Sequence, residues 1–312
     1  MFELRNSSIT GAALLFAAAV LGMLVVAADA DAKKVDVKPG KGTLQKAIDK
    51  AKPGDKLQLK KKGDYRGGVV IEKKLTIRGP SDGKKLPTVD GRCNEAFTML
   101  VLASPVTLKN FKVTGASDAQ GGQYGGAEVN FIEGGAGSAT GLKLQDQCGV
   151  KYGVNVFDTG DVLVTRGQYK GYDDAGVYVG GIGNPETTVQ VTENLATENN
   201  RGILIEDSSG NAGILVANNT TKANTNGFTP SGIFLHNADG VVIADNASDN
   251  NPYAGVHLDV TSDDNRLIDN SASGNGVGAQ GGTGADLLNE GVGNCGSGNV
   301  FGTQAGNPLG AC

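Results

Sequence analysis

An asparagine pair spaced Asn-x-x-x-x-Asn, preceded by a short β-branched run, returns four times: Asn194/Asn199, Asn219/Asn224, Asn246/Asn251 and Asn270/Asn275. Its first member recurs after 25, 27 and 24 residues, so one supersecondary unit is stacked along the chain. Each unit keeps the same order. A glycine opens an alternating run, as in Gly202-Ile203-Leu204-Ile205, Gly232-Ile233-Phe234-Leu235 and Gly255-Val256-His257-Leu258. Polar residues then turn the chain. A second apolar run follows, such as Val189-Gln190-Val191, Ile214-Leu215-Val216, Val241-Val242-Ile243 or Leu267-Ile268, and ends in the pair.

Such runs are too short for helices, and their period of two puts alternate side chains on one face of a strand. No tight Asn-Gly hairpin joins them. A repeat near 25 residues therefore fits parallel rungs, and the expected fold is a single-domain, all-β, right-handed parallel β-helix. A leucine-rich solenoid would need a Leu-x-x-Leu-x-Leu framework, and a left-handed hexapeptide helix a period of six. Neither is present. Asparagine and glycine tolerate the dihedrals of a sharp corner, and a buried amide can hydrogen-bond to the amide one rung away. With 49 glycines, no tryptophan and 5% aromatic residues, the core must be built from Val, Ile, Leu and Ala.

Residues 11–28 form an uncharged apolar stretch after Arg5, followed by Ala-Asp-Ala-Asp-Ala. Ala30 and Ala32 offer an A-x-A cleavage site, so residues 1–32 read as an export signal and 33–312 as the mature domain. The stretch is also just long enough to span a bilayer as an uncleaved anchor. After cleavage no membrane span is expected, and the protein would be secreted, periplasmic or held at the cell envelope. Four cysteines follow the signal. In an exported chain they suggest disulfides, with Cys295 and Cys312 closing a short C-terminal loop and Cys93 and Cys148 left to pair. With two histidines and no Cys-x-x-Cys, no metal site is expected.

The first coil needs a lid, and Thr43 to Ala51 supplies an amphipathic helix with Leu44, Ala47, Ile48 and Ala51 on one face and Thr43 as cap. Strands are expected at Leu57–Leu59, Val69–Ile71 and Leu75–Ile77. The succession Thr43-Leu44-Gln45-x-Ala47-Ile48, Ala51-x-Pro53-Gly54-Asp55, Gly63-Asp64-Tyr65-Arg66-Gly67-Gly68-Val69-Val70-Ile71 and Leu75-Thr76-Ile77-Arg78-Gly79 resembles the cap and first rungs of the pectate-lyase-like β-helix superfamily. The later Gly-Ile and Gly-Val repeats resemble those of bacterial exported β-helix proteins, including the nitrous-oxide-reductase maturation type. The resemblance implies fold more than activity, because the superfamily holds lyases, hydrolases, epimerases and adhesins.

Polygalacturonase-like hydrolases would show Gly-His-Gly and Arg-Ile-Lys, which this chain lacks, although it has Asp173-Asp174 and Asp263-Asp264. Alginate-epimerase-like enzymes would show Asp-Pro-His-Asp, and Gly171-Tyr172-Asp173-Asp174 lacks both Pro and His. A calcium-assisted lyase needs carboxylates to hold Ca²⁺ against a uronate and a basic group to take the proton α to the carboxyl. Residues 151–178 hold Lys151, Arg166, Lys170, Asp173 and Asp174, and five of the seven tyrosines (Tyr124, Tyr152, Tyr169, Tyr172 and Tyr178) lie within 124–178. Asp173, Asp174 and Arg166 are therefore the candidate catalytic set, with Ca²⁺ as the one cofactor such chemistry would call for. Adjacent aspartates in a turn also serve as a solvated corner.

Alternation predicts an external stripe of Asn155, Tyr178, Leu204, Phe234, His257 and Asp286, whose aromatic members could stack on sugar faces. Tyr172, Tyr178, Phe234 and His257 are the candidate carbohydrate contacts, unless loops such as 224–230 cover that face. Residues 33–78 carry 15 Lys+Arg against 5 Asp+Glu, while the whole chain is −5, so the cap is basic and the coils acidic. Nothing beyond this patch points to nucleic acid. The expected partner is a polysaccharide or envelope glycan, bound or processed by a monomer, with lyase or epimerase as the enzymatic form. The rival expectation is a non-catalytic envelope or surface module.

Overall fold

The computed structural model describes residues 32–82, 84–121, 126–208, 213–278 and 284–312. The expected export signal lies outside them apart from Ala32, as does Tyr124. Each asparagine pair brackets a strand: Asn194 and Asn199 enclose Leu195–Thr197, and the next three pairs enclose Thr220–Lys222, Ala247–Asp249 and Ser271–Ser273. Each of these coils therefore has three strands, where the apolar runs alone indicate two. The middle residue of each short strand points inward and is small: Ala196, Thr221, Ser248 and Ala272.

Successive coils pair in parallel and in register, giving three sheets of 12, 11 and 10 strands among the described residues. The fold is a right-handed parallel β-helix. The first sheet runs from Lys34–Val37 to Gly310–Ala311, and the second contains the strands between the asparagines. The third holds the glycine-opened strands, including Ala175–Gly180, Arg201–Ser208, Ser231–Ala238 and Ala254–Leu258.

Two amide ladders pin the corners of the second sheet. Asn194 donates from its backbone N–H and its Nδ2 to Asn219 Oδ1, at 3.0 Å each. The pattern continues through Asn246, Asn270 and Asn299. The second ladder runs through Asn199, Asn224, Asn251 and Asn275, and Asn275 Nδ2 ends it on Asp286 Oδ1 at 2.7 Å. Buried backbone donors that lack a strand partner at these corners are thereby satisfied.

Valine, isoleucine and leucine fill the interior in stacked columns, such as Val177, Ile203, Ile233, Val256 and Leu287. Gly202 is required by close approach, because a Cβ there would lie 2.6 Å from the Gly232 carbonyl oxygen. A helix, Thr43–Lys50, closes the N-terminal end with Leu44 and Ile48 buried on the core. Its cap differs from expectation. Gly42, in the left-handed region, is the N-cap, and Thr43 lies inside the helix with Oγ1 donating to the Gly40 carbonyl at 3.0 Å. Disulfides join Cys93 to Cys148 and Cys295 to Cys312. No helix among the described residues is long and apolar enough to cross a membrane.

Candidate functional site

The outer face of the third sheet carries the densest chemistry, because strand register stacks side chains from distant parts of the sequence. One outward column reads Asn130, Asn155, Tyr178, Leu204, Phe234, His257 and Leu288. The expected stripe is thus in register from Asn155 to His257. Its continuation is Leu288, not Asp286, whose carboxylate is buried on the Asn275 ladder. A parallel column holds Tyr152, Ala175, Arg201, Ser231 and Ala254.

These side chains pack on one another. Tyr152 and Tyr178 lie 4.5 Å apart between ring centroids, and His257 stacks on Phe234 at 4.4 Å with Tyr253 beyond it. Tyr178 and His257 keep only 6% and 5% of their accessible surface, so they are not open platforms. Phe234 is half-buried, and Phe228 stands exposed in the loop before Ser231–Ala238. Tyr172 belongs to the core with no exposed surface and is withdrawn as a carbohydrate contact.

Arg201 organises one end. Its guanidinium lies 4.9 Å over the Phe234 ring, Nη1 pairs with Asp174 Oδ1, and Nη2 donates to Thr229 Oγ1 at 3.1 Å. Its Nε is buried without a partner. Beside it, Tyr178 donates its phenolic proton to Glu206 Oε2 at 2.9 Å. Burial, then the Glu206 hydrogen bond and charge, push the Tyr178 pKa well above the ordinary phenol value. Burial, followed by the charges of Asp174 and Glu206, does the same to Tyr152. Both phenols hold their protons at neutral pH and are acids.

At the other end, His257 Nε2 meets Glu290 Oε2 at 3.0 Å. An ionised Glu290 only accepts, which assigns the ring proton to Nε2 and leaves the buried Nδ1 lone pair without a partner. Burial holds the His257 pKa below its usual value against the opposing pull of Glu290, so the ring is neutral. Three rungs separate Tyr178 from His257, about 14 Å at strand spacing, so the two cannot act on one atom. On the flank, His236 Nδ1 pairs with Asp259, and His236 Nε2 stands 4.0 Å from Glu206. Burial raises Asp259, but hydrogen bonds from Thr261, His236 and Ser262 outweigh it and hold the carboxyl below its usual range.

The expected catalytic set does not assemble. Arg166 occupies the turn between Val162–Thr165 and Gln168–Lys170, whereas Asp173 and Asp174 occupy the turn on the far side of Gln168–Lys170. The two aspartates also diverge. Burial, then the charge of Asp146, raises the Asp173 carboxyl, while Asp174 faces Arg201 and Tyr152. Arg201 escapes sequence reading because its partner is 27 residues away. The signal lay in alignment: Arg201, Ser231 and Ala254 each precede the glycine that opens a rung. Among the described residues no three His, Cys, Asp or Glu side chains are grouped to hold a metal ion.

Solved structures share this architecture. An alginate lyase from Paenibacillus sp. str. FPU-7 superposes with a TM-score of 0.61 at 17% identity, over 89% of this chain and 99% of that one. The A-module of the Azotobacter vinelandii mannuronan C-5 epimerase AlgE4 gives 0.46 at 14%, over 88% and 86%, too distant to carry an argument. At such identities the likeness is one of fold. No curated protein matches the chain. The family model described as periplasmic copper-binding protein (NosD) matches residues 135–304, more than half of the length, and the chain belongs to that family.

Proposed function

We propose that this chain is an exported protein that binds a uronate-containing polysaccharide along the outer face of the third sheet and processes it by lyase or epimerase chemistry at Arg201. The observation that carries this reading is the Arg201 guanidinium, lying over Phe234 with a buried Nε free of partners, one rung from the protonated Tyr178. Removing the proton α to a carboxyl needs the carboxylate charge offset, a base for the proton and an acid for the leaving oxygen or the opposite face of the carbon. Arg201 supplies the first and Tyr178 or Tyr152 the last. Asp174 and Glu206, in contact with these groups, are the carboxylates in reach to act as base. The alginate lyase with the same fold supports uronate as the substrate class. Two disulfides, the apolar segment over 11–28 and the family's periplasmic description support export.

Copper, named in the family description, finds no fitting residues among the described ones. All four cysteines are in disulfides, Met99 is buried in the core, and His236 and His257 are engaged by carboxylates. A second reading, a non-catalytic envelope module, is favoured by the mutual packing of Tyr178, Leu204 and Phe234. Calorimetric titration of oligouronates into the wild type and Arg201→Gln separates the readings. Charge-dependent binding lost in the variant supports the Arg201 site. Equal binding by both proteins, or none by either, counts against it.

A further inference from the structure

Glu128, on the third-sheet strand Ala127–Phe131, is fully buried inside the coil. Its Oε2 lies 2.7 Å from Thr98 Oγ1 and accepts from the Ala116 N–H at 3.2 Å, while Oε1 is buried without a partner. Thr98 Oγ1 also lies 3.0 Å from the Thr114 carbonyl oxygen. A hydroxyl has one proton, and a carbonyl only accepts. If Glu128 were a carboxylate, Thr98 would face two acceptors with one proton. If it is a carboxylic acid, it donates to Thr98, Thr98 donates to Thr114, and the chain of donors closes.

Among the described residues the titratable groups that act on Glu128 are Asp146 and Tyr172, neither of them positive. We propose that Glu128 carries a proton in the folded protein at neutral pH, and that its loss in alkali loosens the coils tied together by Cys93–Cys148, a pH-sensitive catch inside the solenoid. Burial pushes its carboxyl from 4.5 up to about 8. The folded state then holds the proton more tightly than the unfolded one. Stability from this group is complete below about pH 4.5 and declines as pH rises towards about 8, by up to about tenfold per unit in the folding equilibrium and about three-thousandfold in all.

Glu128→Gln keeps the shape and the donor to Thr98 but does not titrate. Infrared difference spectra of the wild type minus Glu128→Gln at neutral pH should show a protonated carboxylic acid band, which disappears on titration through about pH 8. Denaturation midpoints should fall more steeply between roughly pH 5 and 8 for the wild type than for Glu128→Gln, and the two curves should run parallel above it. Should Glu128→Gln fail to fold, hydrogen exchange of the wild type serves, with opening of the Ala116 amide expected to accelerate through the same range. No such band, parallel midpoint curves, or Ala116 protection unchanged by pH would overturn the proposal.

Discussion

Replacing Asn219 with alanine tests the amide ladder where every contribution can be counted. The side chain is 1% exposed and makes four hydrogen bonds. Oδ1 accepts from the Asn194 N–H and Nδ2, at 3.0 Å each, and Nδ2 donates to the Val191 carbonyl at 2.8 Å and to Asn246 Oδ1 at 3.0 Å. Their losses are unequal. Asn194 Nδ2 still donates to Val164, and Asn246 Oδ1 still accepts from the Asn219 N–H. The Asn194 N–H has no other partner and is orphaned in a buried corner, a cost of about 1–3 kcal/mol, while the remaining bonds contribute about 1 kcal/mol or less each. Asn219→Ala should therefore destabilise the protein by about 3–5 kcal/mol. Asn219→Asp should do comparable damage at neutral pH, since its second oxygen would face the Val191 and Asn246 acceptors, and should recover in acid. Asn218→Gly, at an exposed neighbour with φ 57°, is the control and should stay within about 0.5 kcal/mol. Equilibrium denaturation followed by both circular dichroism and tyrosine fluorescence measures the differences and shows whether the coils unfold together. A cost below about 1 kcal/mol for Asn219→Ala, matching the control, would refute the ladder argument.

Further expectations follow from other contacts. Tyr65 donates to the Val37 carbonyl and accepts from the Lys60 N–H, both at 2.8 Å, so Tyr65→Phe should cost about 1–3 kcal/mol in a denaturant titration. Cys295 and Cys312 are separated by 17 residues and Cys93 and Cys148 by 55, so chain entropy predicts losses of about 3 and about 4 kcal/mol for the respective Cys→Ser pairs in the same assay. Ile48→Ala, on the buried face of the N-terminal lid helix, should cost about 2–5 kcal/mol and speed exchange of the Val69–Ile71 amides, as read by hydrogen-exchange mass spectrometry. Tyr178→Phe should lower turnover of a uronate polymer while leaving the circular dichroism spectrum unchanged, since the ring keeps its packing and loses only its hydroxyl, and adding Tyr152→Phe should abolish it.

The rungs were legible because a solenoid repeats one local solution, and period-two alternation with recurring asparagines survives in the primary structure. The strand between each asparagine pair was not, because three residues such as Leu195–Thr197 are too short to show a period. Only the inward Ala196, Thr221, Ser248 and Ala272 betray it, by being small. The stripe is legible as far as His257 and not beyond it, because the chain between Asn275 and Ala285 breaks the repeat length. Burial was the harder quantity. Tyr172 and Tyr178 look alike in sequence, but one fills the core and the other packs against Tyr152 and Leu204 on the outer face. The pairing of Arg201 with Asp174 joins neighbouring coils, and no local pattern encodes it.

The central functional claim is that the Arg201 face acts on a uronate polymer, and product analysis tests it most directly. The purified protein and Arg201→Gln would be incubated with a panel of acidic and neutral polysaccharides, with and without Ca²⁺, and the products followed by ultraviolet absorbance and mass spectrometry. Unsaturated fragments or epimerised residues from an acidic polymer, made by the wild type and lost in a folded Arg201→Gln, are the predicted result. Unaltered polymers across the whole panel would contradict the account.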